Sequence, residues 1–176
     1  PAVSDELALA CRQALEAARV RGVRTVLDLN YRGKLWTPEK AQGVMRELLP
    51  LVDVCIANDE DAPSALGMTC VSGSLAHGIE ERESYVEMAR QICETYGCRA
   101  VASVVRDVES TERSRWMGLL YEAAGDRHWF SPVHDVHVLE GVGAGDAFNA
   151  GLIHAYLHGF EPQDAIDYAI AASVLK

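Results

Sequence analysis

Short apolar runs alternate with amphipathic segments through the first hundred residues, and this alternation constrains the fold more than any other feature of the sequence. The helix-like segments are residues 4–21, 37–49 and 81–96, and the strand-like runs are residues 25–30, 53–57 and 100–106. Helical segments repeat their apolar residues every three to four positions, whereas buried strands are short and continuously apolar. Strands that alternate with helices form right-handed crossovers and a mainly parallel sheet covered by helices. We therefore predict an α/β fold.

The pattern changes in the second half of the chain. Residues 115–123, 128–133 and 135–140 are strand-like, with the turn sequence AGDR between the first two, which predicts consecutive antiparallel strands or a hairpin. Two helices are expected at residues 146–158 and 162–175. We expect one domain over residues 1–176. It is expected to be incomplete, because the chain opens on Pro1 and stops within helical periodicity.

Charge and composition exclude several classes of protein. A net charge of −10 argues against nucleic-acid binding, which depends on clustered cations. Five cysteines without a C-x-x-C pair, and no secretion signal, favour reduced thiols and a cytoplasmic location. The sequence has no apolar run long enough to cross a membrane. The histidines lack the spacing of metal ligands, and His134 and His137 are expected on an exposed strand face.

Four segments are predicted to meet at one edge of the sheet. In open α/β sheets, ligands bind beyond the carboxyl ends of the strands. Residues 29–36, 58–61 and 104–107 follow or end the three predicted parallel strands, and a glycine-rich loop precedes the helix at 146–158. This convergence is the main functional indication in the sequence.

The glycine-rich segment, EGVGAGDAFNAG, covers residues 140–151. It is not a dinucleotide fingerprint, because Asp146 occupies the sixth place, and it lacks the Lys and Ser or Thr of a P-loop. Bare backbone N–H groups that lead into a helix N-terminus suit a phosphate or a phosphoryl group in transfer. Asp146 beside them can accept the proton of an attacking alcohol. Alternatively, Asp146 only caps the helix and the glycines form a tight turn.

The string GAGDAFNAG resembles the C-terminal motif of the ribokinase-like (PfkB) family of carbohydrate kinases. LDLNYRGKLW, LLPLVDVCIANDEDA and AASVLK resemble stretches of the 2-keto-3-deoxygluconate kinases within that family. The resemblance implies ATP-dependent phosphorylation of a sugar-acid hydroxyl, with ATP and Mg²⁺ as cofactors. It assigns the anion hole to Gly143, Ala144 and Gly145, which contact phosphate, and the general base to Asp146.

The resemblance also assigns binding residues in the other three segments. Asn58 matches the first position of an N-x-x-E element that organises phosphates and magnesium, with Asp61 in place of Glu; alternatively, Asn58 only caps a helix whose first turn is acidic. Arg32 matches an arginine that faces the substrate carboxylate, with Asn30 in the same loop, although an exposed arginine without a ligand is the alternative. Arg106 is expected to contact ATP phosphates.

The chain departs from the family pattern at several points. Glu140 replaces an Asp, Gly141 replaces a Thr or Arg, and Val104 replaces a Thr. The resemblance begins after the family's N-terminal third, so its N-terminal strands, first substrate element and β-sheet lid are missing. We therefore expect the chain alone to be inactive. The sequence is compatible with a homo-oligomer. Another PfkB-type sugar kinase, such as a fructokinase, and a non-catalytic nucleotide-binding fragment are the alternatives.

Overall fold

The computed structural model describes residues 1–58, 61–68, 78–110, 112–139 and 141–176. The helices in these residues are α1 Asp5–Val20, α2 Pro38–Leu48, α3 Asp61–Leu66, α4 Arg82–Tyr96, α5 Ala144–Leu157 and α6 Pro162–Leu175, with a 3₁₀ turn at Leu49–Leu51. The strands are β1 Val26–Asp28, β2 Val54–Ile56, β3 Ala100–Val108, β4 Arg113–Glu122, β5 Arg127–Phe130 and β6 His134–His137.

The strands form one mixed sheet in the order β1-β2-β3-β4-β5, and β6 also pairs with β4. β1, β2 and β3 are parallel, with Asp28 level with Ile56 and Ile56 level with Ala102. β4 runs antiparallel to β3, β5 and β6. The predicted α/β class is confirmed, with the parallel strands in the first half and antiparallel pairing in the second.

Two strand predictions need correction. β4 and β5 form the predicted hairpin, but β6 pairs with β4 rather than with β5, so β5 and β6 lie end to end along one edge of β4. β3 does not end at Arg106 but runs to Val108, because β4 pairs with it along its whole length. That partner lies in a later segment, which local sequence patterns cannot reveal.

Local sequence explains most of the helix ends. The side chain of Thr37 accepts a hydrogen bond from Lys40 N–H, and Pro38 opens helix α2 without needing a partner for an N–H. Helix α4 ends at Gly97, whose φ of 78° is left-handed. Helix α5 begins at Ala144, two residues before the predicted start, so part of the glycine loop belongs to its first turn.

The sheet separates two layers of core. One face of the sheet packs against helices α2, α3 and α4, and Trp36 belongs to this layer of the core. The other face packs against α5 and α6. Alternate residues of β3 point into each layer: Val101 and Val105 into the first, Ala102 and Val104 into the second. Within the described residues, no helix combines the length and the hydrophobicity that a membrane span requires. Cys55, Cys93 and Cys98 are buried free thiols, whereas Cys70 lies outside the described residues.

Candidate active site

Asp28, the last residue of β1, joins two of the predicted functional segments. One carboxylate oxygen accepts a hydrogen bond of 2.7 Å from the Asn149 side chain, and the other accepts one of 3.0 Å from the Asn30 N–H. Asn149 lies on helix α5, whereas Asn30 opens the loop after β1 with a left-handed φ of 39°. Asp28 therefore holds helix α5 beside the loop that carries Arg32.

Asp61 makes a second connection at the same edge. Its buried side chain accepts a 2.8 Å hydrogen bond from Tyr31 N–H and another from the side chain of Asn58. The Asn58 Oδ1 atom itself accepts a 3.1 Å hydrogen bond from Val104 N–H. Asn58 and Asp61 thus tie the end of β2 and the middle of β3 to the loop after β1. The neighbouring acids that were predicted to complete the first helical turn, Asp59 and Glu60, lie outside the described residues.

The glycine loop presents backbone amides at the start of helix α5. Gly143 is the N-cap residue with a φ of 85°, and no side chain caps the helix there. The first N–H groups of an α-helix have no carbonyl partner within the helix. Ala144 N–H makes only a long 3.4 Å contact with Gly141 O, and a Cβ on Gly145 would point into open space. This first turn therefore has the geometry that suits an anion.

Asp146 lies in the same first turn, with an exposed side chain. Its charge acts on Asp28, whose carboxyl pKa it raises, so the two acids lie within electrostatic reach. Asn149 follows three residues later and shares this face of the helix. The geometry therefore brings Asp146 to the same edge of the sheet as the loop after β1.

Arg32 is the positive charge that acts on this group of acids. Its side chain is exposed and donates a 3.0 Å hydrogen bond to Tyr31 O. Burial raises the pKa of both Asp28 and Asp61, and the charge of Arg32 opposes that rise, which places Arg32 near each carboxylate. The predicted substrate loop and the predicted acids are thus brought together.

Burial is the main cause of the pKa shifts in this group. The pKa of Asp28 is raised by burial and by the charge of Asp146, although the hydrogen bonds from Asn149 and Asn30 oppose the shift. Burial likewise raises the pKa of Asp61, and the Tyr31 N–H opposes it. Carboxylates that lie close together in a partly buried site are stabilised by a nearby cation.

Arg106 lies outside this group. Ala102 is the residue of β3 that is level with the end of β2, and Arg106 is four residues further along the strand. At a rise of about 3.3 Å per residue, the two Cα atoms are roughly 13 Å apart. The Arg106 guanidinium lies 4.5 Å from the centre of the Trp116 ring. Arg106 therefore lies towards the carboxyl end of β3, beyond the level at which β2 ends.

The residues fit a phosphate better than they fit a metal ion held by protein alone. The amides of the first turn of α5 suit a phosphate, whereas no group of three or more His, Cys, Asp or Glu among the described residues is arranged to hold a metal ion. Mg²⁺ usually keeps several waters and binds through one or two carboxylates plus substrate phosphates. Asp61 fits that indirect role.

Sequence reasoning missed three residues of this site. Asp28 and Asn149 were not singled out, although each stands three residues or fewer from a predicted site residue. No motif in the sequence pointed to Lys176. In the structure, a Cβ on Gly143 would lie 3.3 Å from the Cε atom of Lys176 and 3.9 Å from its Nζ atom. Its ammonium therefore lies beside the glycine loop. Glu140, the predicted departure at the loop entrance, lies outside the described residues.

A helix N-terminus with bare amides and an adjacent aspartate, at one edge of an α/β sheet, is an arrangement that suits phosphoryl transfer, which depends on positioning and on stabilisation of charge. The profile of the pfkB family carbohydrate kinases matches residues 3–176. The chain belongs to this family, as the motif predicted.

Individual relatives agree with this assignment. The chain is 28% identical to a 2-dehydro-3-deoxygalactonokinase of Haloferax volcanii over all of its own length and 48% of that protein. The crystal structure of 2-dehydro-3-deoxygluconokinase from Thermotoga maritima is 36% identical, with a TM-score of 0.89 over 99% of this chain and 50% of that one. A PfkB family carbohydrate kinase from Listeria grayi is 26% identical, with a TM-score of 0.83 and the same coverage. The chain spans about half the length of these proteins.

Proposed function

We propose that the protein that contains this chain transfers the terminal phosphoryl group of ATP to a hydroxyl of 2-keto-3-deoxygluconate. The observation that carries the proposal is the first turn of helix α5, where bare amides and Asp146 stand side by side next to the Arg32 loop. Family membership and the names of the relatives support the reaction class, and two of those names are kinases of 2-dehydro-3-deoxy sugar acids.

The amides of Gly143, Ala144 and Gly145 stabilise the negative charge of the phosphoryl group in transfer. Charge that develops on phosphoryl oxygens is stabilised by donors that are already fixed in place. The first turn is fixed, because the Ser173 hydroxyl donates a 2.9 Å hydrogen bond to Ala144 O from helix α6. The Lys176 ammonium adds a positive charge on the same side.

Asp146 accepts the proton of the attacking hydroxyl. A carboxylate beside the anion hole lies in the position that an in-line attack requires. It stands on a helix rather than on a loop, and the Asp28–Asn149 hydrogen bond holds that helix against β1. The proton moves to a carboxylate oxygen of Asp146 as the hydroxyl oxygen bonds to the γ-phosphorus of ATP, while the bond from that phosphorus to the β–γ bridging oxygen breaks and ADP leaves.

Arg32 binds the carboxylate of the sugar acid, and Asn30 supports the same loop. A guanidinium can donate two parallel hydrogen bonds to a carboxylate, which favours a sugar acid over a neutral sugar. The hydrogen bond from the Arg32 side chain to Tyr31 O uses one of its five N–H donors. The remaining donors suffice for such a pair.

ATP supplies the phosphoryl group, and Mg²⁺ reduces the repulsion between its phosphates. Asp61 and Asn58 would hold the hydrated cation and phosphates, and Arg106 would contact the phosphates of ATP. The buried free thiols of Cys93 and Cys98 suit a reducing compartment, so we place the activity in the cytoplasm.

The test of the catalytic base uses the protein at its full natural length in a coupled assay with ATP, Mg²⁺ and 2-keto-3-deoxygluconate. Asp146→Asn should lower kcat by about 10²–10⁴-fold, the usual contribution of a positioned base. Its dissociation constant for ATP, measured by calorimetry, should stay within about twofold of the wild-type value. Asp164→Asn is the matched control, because Asp164 occupies the first turn of α6. Equal activity of the two variants would contradict the assignment.

A second experiment tests the substrate. Arg32→Ala should raise KM for 2-keto-3-deoxygluconate by about 10–100-fold, because a charge-assisted pair contributes about 1.5–3 kcal/mol. KM for fructose, the neutral sugar, should change little. Lys34→Ala, on the same exposed loop, is the control. If wild type prefers fructose, or if Arg32→Ala raises both KM values equally, the preference for a sugar acid is wrong. 2-Keto-3-deoxygalactonate, assayed in parallel, tests which epimer is preferred.

A further inference from the structure

A cavity of about 420 Å³ opens at the amino ends of the parallel strands, away from the candidate active site. It lies between the end of helix α1, the turn before β2 and the start of β3. Three arginines line it: Arg19, Arg24 and Arg99. The acid among its lining residues is Asp53, so the lining carries a net charge of +3 − 1 = +2 in a chain of −10.

Each arginine is oriented by one contact that leaves most of its donors available. Arg19 donates a 2.9 Å hydrogen bond to Pro50 O, and Arg99 lies 3.3 Å from Asp53 in an exposed ion pair. Arg24 lies over the Tyr156 ring at 5.6 Å. A guanidinium has five N–H donors, so these contacts leave many of them unused.

The carbonyl groups at the end of helix α1 do not compete for the guanidinium N–H groups. The carbonyl groups at the end of helix α1 already accept hydrogen bonds from Gly22 and Val23 N–H, which closes that helix. One oxygen of Asp53 accepts a 2.9 Å hydrogen bond from Thr25 N–H, so the carboxylate is shared between Thr25 and Arg99. Among the residues that line the cavity, one carboxylate therefore faces three guanidinium groups.

We propose that this cavity, which we call the arginine cavity, is a second binding site that takes a small phosphorylated metabolite. Guanidinium groups match phosphate oxygens with paired hydrogen bonds. Three of them around a space of this size suit a ligand with two or more phosphate charges. The arginine cavity lies at the amino end of β1 and Asp28 at its carboxyl end, so the ligand does not compete with the proposed substrates for the same groups.

The test uses the full-length protein labelled with ¹⁵N-glycine and titrated with inorganic pyrophosphate at about 0.15 M NaCl, where weak surface attraction is screened. Gly22 and Gly97 line the arginine cavity, whereas Gly143 and Gly145 report on the candidate active site. We expect saturable shifts of the Gly22 and Gly97 signals. Shifts confined to Gly143 and Gly145, or no shifts, would overturn the proposal.

Variants separate a specific site from general charge attraction. Arg24→Gln combined with Arg99→Gln should raise the dissociation constant reported by Gly22 roughly tenfold or more. Arg113→Gln removes one exposed arginine on β4 and should change it less than about twofold. If the double variant does not fold, Arg99→Gln alone replaces it in the experiment. The Arg99 side chain is 81% exposed, so this single change preserves the fold. Equal effects of Arg99→Gln and Arg113→Gln would refute a specific site.

Discussion

Gly151 offers a quantitative test of how tightly helix α5, which carries Asp146, is held against helix α6. A Cβ added at Gly151 would lie 2.9 Å from the Cα of Ala169 and 3.1 Å from the Cβ of Ala172. Backbone atoms cannot move aside as a flexible side chain can. Gly151→Ala therefore forces the two helices apart by several tenths of an ångström.

Gly43 provides the matched comparison in helix α2. It also lies inside a helix, but a Cβ there would meet nothing within 4 Å. Gly43→Ala should stabilise the protein by about 0.5–1 kcal/mol, because alanine loses less backbone entropy in a helix. Gly151→Ala gains the same term but adds an overpacking cost of about 1–3 kcal/mol. The difference between the two variants isolates the packing cost.

Urea unfolding of the full-length protein, followed by circular dichroism, measures that difference at constant m-value. We expect Gly151→Ala to be about 1–3 kcal/mol less stable than Gly43→Ala. Its kcat should also fall, since a displaced helix carries Asp146 with it. Equal stability of the two variants would show that helices α5 and α6 do not meet as closely as the structure places them.

Three further predictions concern buried charges and thiols. Burial raises the pKa of Asp28 above 3.8 in the folded state, so its stabilising contribution is complete below pH 3.8 and is lost as the pH rises through the folded value. Asp28→Asn should therefore gain stability relative to wild type as urea unfolding is repeated at rising pH, and a constant difference would contradict this. Asp107→Ala should destabilise by about 1–3 kcal/mol in thermal unfolding, because it leaves the buried Ile79 N–H without its carboxylate acceptor; a loss below about 0.5 kcal/mol would mean that solvent replaces that acceptor. Burial raises the pKa of Cys98 to about 11, so peptide mapping after brief thiol labelling should find Cys11 modified and Cys98 not; equal labelling would refute its burial.

The fold was most predictable where local chemistry decides the outcome. Both ends of helix α6 were predicted, with Pro162 at its first position, and Gly97 marked the end of α4. The start of α5 was misplaced, because Gly143 opens it without a capping side chain. The length of β3 and the partner of β6 depend on pairing with β4, which is distant in sequence.

The candidate site was predictable where a motif carried it, and less so where a contact crosses the chain. Asp146 and Arg32 were found from their motifs, and the structure brings them to one edge. The hydrogen bond between Asp28 and Asn149 joins residues 121 positions apart, so no local pattern reports it. Arg106 was expected at the end of its strand, but β3 continues two residues past it because β4 pairs with it there.

The contacts around helix α5 divide the proposed catalytic work between a rigid part and an adaptable part. Helix α5 is fixed to β1 through Asn149 and to α6 through Ser173, so the anion hole and base sit on one rigid element. The loop with Arg32 is held mainly by its own backbone, through Asn30 to Asp28 and Tyr31 to Asp61. Fixed donors lower the barrier to phosphoryl transfer, whereas a loop can adjust to the acceptor. Changes that loosen α5 should therefore act chiefly on kcat, and changes in the loop chiefly on KM.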